Sequence, residues 1–108
     1  QYPMNLALSD IETKEIIPGF HGKMIHSETM TLAFWEVEKG AMVPEHSHIN
    51  EQIMHVLEGD FEFKVAGVTK VYTPGELVII PSNIPHSGKA LTPCKLMDIF
   101  SPVREAYK

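Results

Sequence analysis

Between residues 44 and 59 the chain reads PEHSHINEQIMHVLEG, a run holding three histidines, three glutamates and a glutamine. His46 and His48 are one residue apart. On an extended strand such side chains leave the same face, ~7 Å apart at Cα, and two parallel imidazoles can converge on one cation. A solvated turn reads the same way, so the flanking residues decide. Gln52 shares parity with Met54 and Val56, whereas Glu51 shares it with Ile53 and His55. If Met54 and Val56 face the interior, Gln52 does too and Glu51 does not. Further along, GELVIIPSNIPH (75–86) delivers His86 at the end of a loop. Pro81 and Pro85 fix φ on both sides of that loop, which is how a rigid third donor is presented. Nitrogen and oxygen donors of this kind suit a divalent ion, Zn, Ni, Fe, Mn or Co, without choosing among them.

A second group of candidates lies in KLMDIFSPVRE (95–105). Asp98 shares a strand face with Leu96 and Phe100, and a carboxylate among apolar neighbours must be paired, protonated or beside a cation. Facing inward near the ion, it would be an acid/base group; on an edge strand, it would merely be solvated. Arg104 follows the strand, and its guanidinium fork suits a substrate carboxylate. A surface ion pair with Glu105 is the plainer alternative. His21, His26 and His55 fit no spacing and are expected at the surface or an interface.

The elements that must position these groups read as strands. Alternation and turn signals recur at short intervals, and helical periodicity is weak. A strand is expected over 29–40 and a hairpin over 52–67 with its turn at Glu58-Gly59-Asp60, then strands over 68–72, 76–81 and 94–100. TPGE (73–76) has the signature of a type II turn. Only the tail, SPVREAYK, predicts a short helix, with Ser101 as N-cap and Pro102 in its first turn. Many short strands imply a sandwich or barrel, here one domain over 1–108.

The chain has 108 residues, 44% of them hydrophobic, and a formal charge of −5. No Lys/Arg stripe marks a nucleic-acid or anionic-membrane surface. No apolar run approaches the ~20 residues of a membrane span. Cys94 is the only cysteine, which excludes an internal disulfide and multi-thiolate zinc sites and fits a reducing cytoplasm.

The two histidine blocks resemble the paired motifs of the cupin superfamily. The first motif runs Gly, five residues, His-x-His, three or four residues, Glu, six residues, Gly. Gly40, His46, His48, Gln52 and Gly59 follow it, with Gln in place of Glu. In the second, Gly75, Pro81 and His86 match, while Asn83 stands for a Gly and Ala90 for an Asn. The resemblance implies an all-β double-stranded β-helix, or jelly-roll barrel. With the ending D-x-F-x-P-x-R-E, the chain is similar to the pectin-degradation cupins, which convert 4,5-unsaturated uronates to linear 4-deoxy-5-keto-uronates. That likeness implies a metal held by His46, His48, Gln52 and His86, with Asp98, Phe100 and Arg104 acting on a small anionic sugar. Gln in place of Glu leaves the cation's charge uncancelled, a stronger Lewis acid and a better site for an anion.

Two other readings stand beside this one: a metal-dependent cupin dioxygenase, and a sugar- or small-molecule-binding cupin without catalysis. Sensor cupins usually carry a helix-turn-helix, for which 108 residues leave no room. A homodimer is expected, through sheet edges or an exchanged N-terminal strand in which Tyr2, Met4, Leu6 and Leu8 alternate.

Overall fold

A computed structural model describes residues 4–108. It contains ten strands, β1 (Lys14–Ile17), β2 (Phe20–His26), β3 (Thr31–Val37), β4 (Met42–His46), β5 (Glu51–Glu58), β6 (Phe61–Val65), β7 (Val68–Tyr72), β8 (Leu77–Ile80), β9 (His86–Ala90) and β10 (Cys94–Ser101). Six form one antiparallel sheet in the order β1-β2-β3-β10-β5-β8, and four form the other, β4-β9-β6-β7. The all-β jelly-roll expectation therefore holds. Among the described residues, no helix is long and apolar enough to cross a membrane.

Period-two alternation builds the interior. Ala33, Trp35 and Val37 of β3, Met54 and Val56 of β5, and Leu96 and Phe100 of β10 point inward. They meet Phe61 and Phe63 of β6 in one core. Edge-on contact between Phe20 and Phe61, centroids 6.4 Å apart, joins the two sheets.

Turn chemistry fixes the register. At TPGE the Glu76 N–H donates to the Thr73 carbonyl at 3.0 Å, and Gly75 at φ +90° occupies the left-handed position that a type II turn demands. Gly59, at φ +83°, turns β5 into β6, and a Cβ there would strike the Pro93 carbonyl oxygen and the Thr92 side chain.

One expectation fails. The tail forms only a 3₁₀ turn at Glu105–Tyr107, with Arg104 at its N-cap position. Ser101 instead stays in the β10 ladder opposite Glu51, and the Pro102 and Val103 carbonyls accept from Asn50 Nδ2, so no helix can start at Ser101. Within the single chain, residues 4–7 have no regular structure and Leu8–Asp10 is a 3₁₀ turn, while Tyr2 lies outside the described residues.

Candidate metal centre

The short four-stranded sheet brings the two histidine blocks together. His46, at the end of β4, is the direct cross-strand partner of His86 at the start of β9. His48 lies two residues beyond the strand, in the loop to β5, and not on the strand itself. That loop is pinned to the second block, because the Asn83 N–H donates to the His48 carbonyl at 2.8 Å. Asn83 has φ +63°, the left-handed region that Asn tolerates better than most residues, which explains how it stands where the motif has Gly.

The three rings crowd one point, with centroids 4.3 Å apart for His46–His86, 4.9 Å for His48–His86 and 5.6 Å for His46–His48. One nitrogen from each lies within 4.8 Å of the others. Each ring is oriented by the same device. The Nδ1–H of His46 donates to the Pro44 carbonyl at 2.9 Å, that of His48 to Asn50 at 3.0 Å, and that of His86 to Ile84 at 2.8 Å. A proton held on Nδ1 leaves Nε2 with a free lone pair, the tautomer a metal needs. His86 Nε2 is buried without a hydrogen-bond partner, a costly arrangement that a cation would relieve. Burial also keeps the ring neutral, lowering the His86 pKa to about 4, and the repulsion that a protonated ring would meet from any charge on His46 and His48 and from Arg104 adds to the effect. His48 is lowered as well, first by burial and then by Arg104.

Gln52 is buried on β5 and turns its amide toward the same point. Its Oε1 lies 3.1 Å from His48 Nε2, while its Nε2 donates to Asp98 Oδ1 at 3.0 Å. Asp98 stands in β10, with Ala33 and Met54 opposite it on the flanking strands, so it is in the middle of the sheet and not at an edge. The small Ala33 leaves room for the Trp35 indole, whose Nε1–H donates to Asp98 Oδ2 at 2.9 Å. Burial raises the Asp98 carboxyl to about 6 against the opposing pull of those two donors. A carboxylate accepting from the amide NH₂ leaves only the amide oxygen free to face the imidazoles. Three neutral imidazoles and one carbonyl-type oxygen are a fit donor set for a divalent ion.

The site opens on a cavity of about 220 Å³ whose walls include His46, Gln52, His86, Asp98, Phe100 and Arg104. Phe100 packs edge-on against His48, centroids 5.6 Å apart. The Arg104 guanidinium lies 4.9 Å from the Tyr107 ring centre and 5.8 Å from that of Phe100, and its Nε is buried without a partner.

Sequence reasoning missed Trp35, Asn50 and Thr31. Asn50 joins the two halves of the site: its carbonyl orients His48, and its side chain holds the Pro102 and Val103 carbonyls just before Arg104. Thr31 Oγ1 accepts the Arg104 N–H at 2.8 Å. His26, half-buried and outside the imidazole cluster, bridges Thr31 Oγ1 and the Tyr107 carbonyl. His21 does not line the cavity and pairs with Glu38 at 2.7 Å. His55 is on the opposite face of β5 from Gln52, as expected.

Residues 33–100 match the family described as Cupin domain, and the chain belongs to that family. Among solved structures it is similar to an RmlC-like cupin from Shewanella frigidimarina, 31% identical with a TM-score of 0.88, covering 93% of this chain and 91% of that one. It is also similar to KdgF from Halomonas sp., 26% identical with a TM-score of 0.87, covering 93% and 95%. Oxalate decarboxylase of Bacillus subtilis, at 17% identity and TM-score 0.81, shares the fold alone, and this chain spans 29% of it. A search of curated proteins finds no match.

Proposed function

We propose that this cupin converts 4,5-unsaturated uronates to linear 4-deoxy-5-keto-uronates with the help of one divalent ion. The observation that carries this reading is the meeting, in one small cavity, of a neutral three-histidine, one-glutamine donor set with Asp98 and Arg104. The match to KdgF over nearly the whole of both chains agrees with the resemblance to the pectin-degradation cupins.

His46, His48, Gln52 and His86 would hold the ion. When bound, it supplies a Lewis-acid charge that attracts a carboxylate and stabilises developing enolate character. In the substrate, C4 and C5 share a double bond and C5 carries the ring oxygen. Opening the hemiacetal at C1 leaves an enol at C5, and protonation of C4 makes it a ketone, so atoms and electrons balance without an oxidant. Arg104, which lines the cavity and has a buried Nε without a partner, grips the carboxylate. Phe100 offers a flat apolar wall to the sugar ring. Asp98, raised to about 6, is poised between its protonated and ionised forms near neutral pH and moves the proton.

The test is to mix purified protein with unsaturated galacturonate and follow the ultraviolet absorbance of the conjugated alkene–carboxylate. Rapid loss without oxygen uptake is expected. Decay no faster than in buffer overturns the reading, and loss coupled to oxygen consumption replaces it with the dioxygenase.

A further inference from the structure

The inner face of the six-stranded sheet carries mostly apolar side chains, but one cross-strand row holds three polar ones. It runs His26–Thr31–Phe100–Gln52, from the end of β2 across β3 and β10 to β5. Thr31 and Gln52 are buried, and His26 is half-buried. Gln52 has its place among the imidazoles. His26 does not, and no step of the proposed chemistry uses it.

The hydrogen bonds define what His26 does. Its Nε2 lies 3.3 Å from the Tyr107 carbonyl, which can only accept, so the neutral ring carries its proton there. Its Nδ1 therefore accepts from the Thr31 hydroxyl at 2.8 Å. Thr31 Oγ1 in turn accepts the Arg104 N–H at 2.8 Å. This tautomer is the opposite of the one held by His46, His48 and His86, and it leaves no lone pair for an ion. One imidazole thus fastens both ends of the turn at 104–107, the Tyr107 carbonyl directly and the Arg104 N–H through Thr31. The turn closes on itself as the Tyr107 N–H donates to the Arg104 carbonyl at 2.9 Å.

That turn carries side chains the chemistry needs. Arg104 and Tyr107 both line the cavity. The guanidinium lies 4.9 Å from the centre of the Tyr107 ring, within the range of a cation–π contact. The same ring meets Phe100 edge-on at 5.5 Å and, at 5.7 Å, Trp35, whose indole holds Asp98. Burial, with the Asp98 charge adding to it and Arg104 opposing, raises the Tyr107 phenol, so the ring beside the guanidinium stays un-ionised. A free arginine side chain loses much rotamer freedom on gripping a carboxylate, and a ring on a fixed turn removes part of that loss beforehand.

We propose that His26 is a positioning residue: through Thr31 and Tyr107 it holds the Arg104 guanidinium at the cavity before a substrate carboxylate arrives. The identity of that carboxylate rests on the uronate reading, whereas the fastening of Arg104 does not.

Two measurements on the full chain test this. One is steady-state kinetics with unsaturated galacturonate. The other is the resonance of the buried Arg104 Nε–H in proton–nitrogen correlation spectra, which the current of the Tyr107 ring displaces. In His26→Leu, KM should rise about tenfold or more while kcat stays within about twofold, the pattern of a lost binding interaction. The Arg104 resonance should move toward that of an unstacked arginine. His26→Gln, whose amide keeps a donor for the Tyr107 carbonyl, should recover most of both effects. Thr31→Val should reproduce the loss, and it serves as the second variant if His26→Leu fails to fold. Combining the two should add little, because both act through one chain of bonds. His21→Leu, on the same strand but outside the cavity, should change neither readout. An Arg104 resonance that His26→Leu and Thr31→Val both leave in place overturns the inference, as does a KM that neither changes. If the unaltered protein does not consume the uronate, the uronate reading falls and the Arg104 resonance alone decides for or against His26.

Discussion

Gln52 sits between two neighbours that leave its amide one orientation. Asp98 takes the NH₂ group, so the oxygen must face His48. Asp98→Asn removes that direction, since an amide partner can offer either end. The expected outcome is a 10- to 100-fold loss of cation affinity, in line with roughly that cost for other supporting partners of metal ligands. Turnover of unsaturated uronate should fall about 100-fold or more as the acid/base group is lost. Competition titration with a metallochromic dye and the absorbance assay read the two effects apart, and full activity in the variant would remove Asp98 from the chemistry. His86 gives a prediction in pH. Its folded value of about 4 lies below the ~6.5 of an exposed imidazole, so the unfolded chain binds the extra proton first. In chelator-treated protein, the stabilisation from neutral His86 is complete above pH 6.5 and is lost as pH falls toward 4. Melting curves at intervals between pH 7 and 4.5 should therefore show a decline that His86→Phe flattens.

At the scale of elements, the site depends on segments that tie one another down. Asn50 secures the His48 loop to the stretch before Arg104, and Thr31 secures Arg104 from β3. Asn50→Ala should cost about 1–3 kcal/mol of stability and raise KM more than it lowers kcat, because the carboxylate grip loosens while Asp98 stays in place. Steady-state kinetics beside a denaturation curve checks the split. Gly59→Ala, forced to φ +83° and onto the Pro93 carbonyl, should destabilise the fold by about 2–4 kcal/mol or prevent it, measured by the same curve. Much of this was legible in the sequence. Parity put Gln52 on the face of Met54 and Val56, and Asp98 on that of Leu96 and Phe100, leaving an edge-strand Asp98 open, and Pro81 and Pro85 announced the loop before His86. The rest involved contacts between distant residues. Asn50 looks like an ordinary turn residue until Pro102 and Val103 lie beside it. Trp35 reads as core until Ala33, opposite Asp98, gives its indole room to reach the carboxylate. The tail's helix signals at Ser101 and Pro102 were outweighed by a strand that keeps its ladder through Ser101.

For the whole molecule, the two sheets form a shell whose interior is apolar except at one end, where His86 Nε2 and Arg104 Nε lack partners. A cation held at that end by the folded chain and not the unfolded one would stabilise the fold by mass action, ~2.7 kcal/mol at one hundred times its dissociation constant. Removing metal with a chelator should lower the melting temperature by about 10 °C or more for a chain of this size. The most direct measurement is X-ray absorption at the metal edge of protein loaded with one equivalent of zinc. A first shell of three imidazole nitrogens and at least one oxygen at ~2.0–2.2 Å is predicted, falling to two imidazoles in His86→Ala. A spectrum with fewer than three imidazoles in the unaltered protein, or one that His86→Ala leaves unchanged, would contradict the shared site on which the proposed chemistry rests.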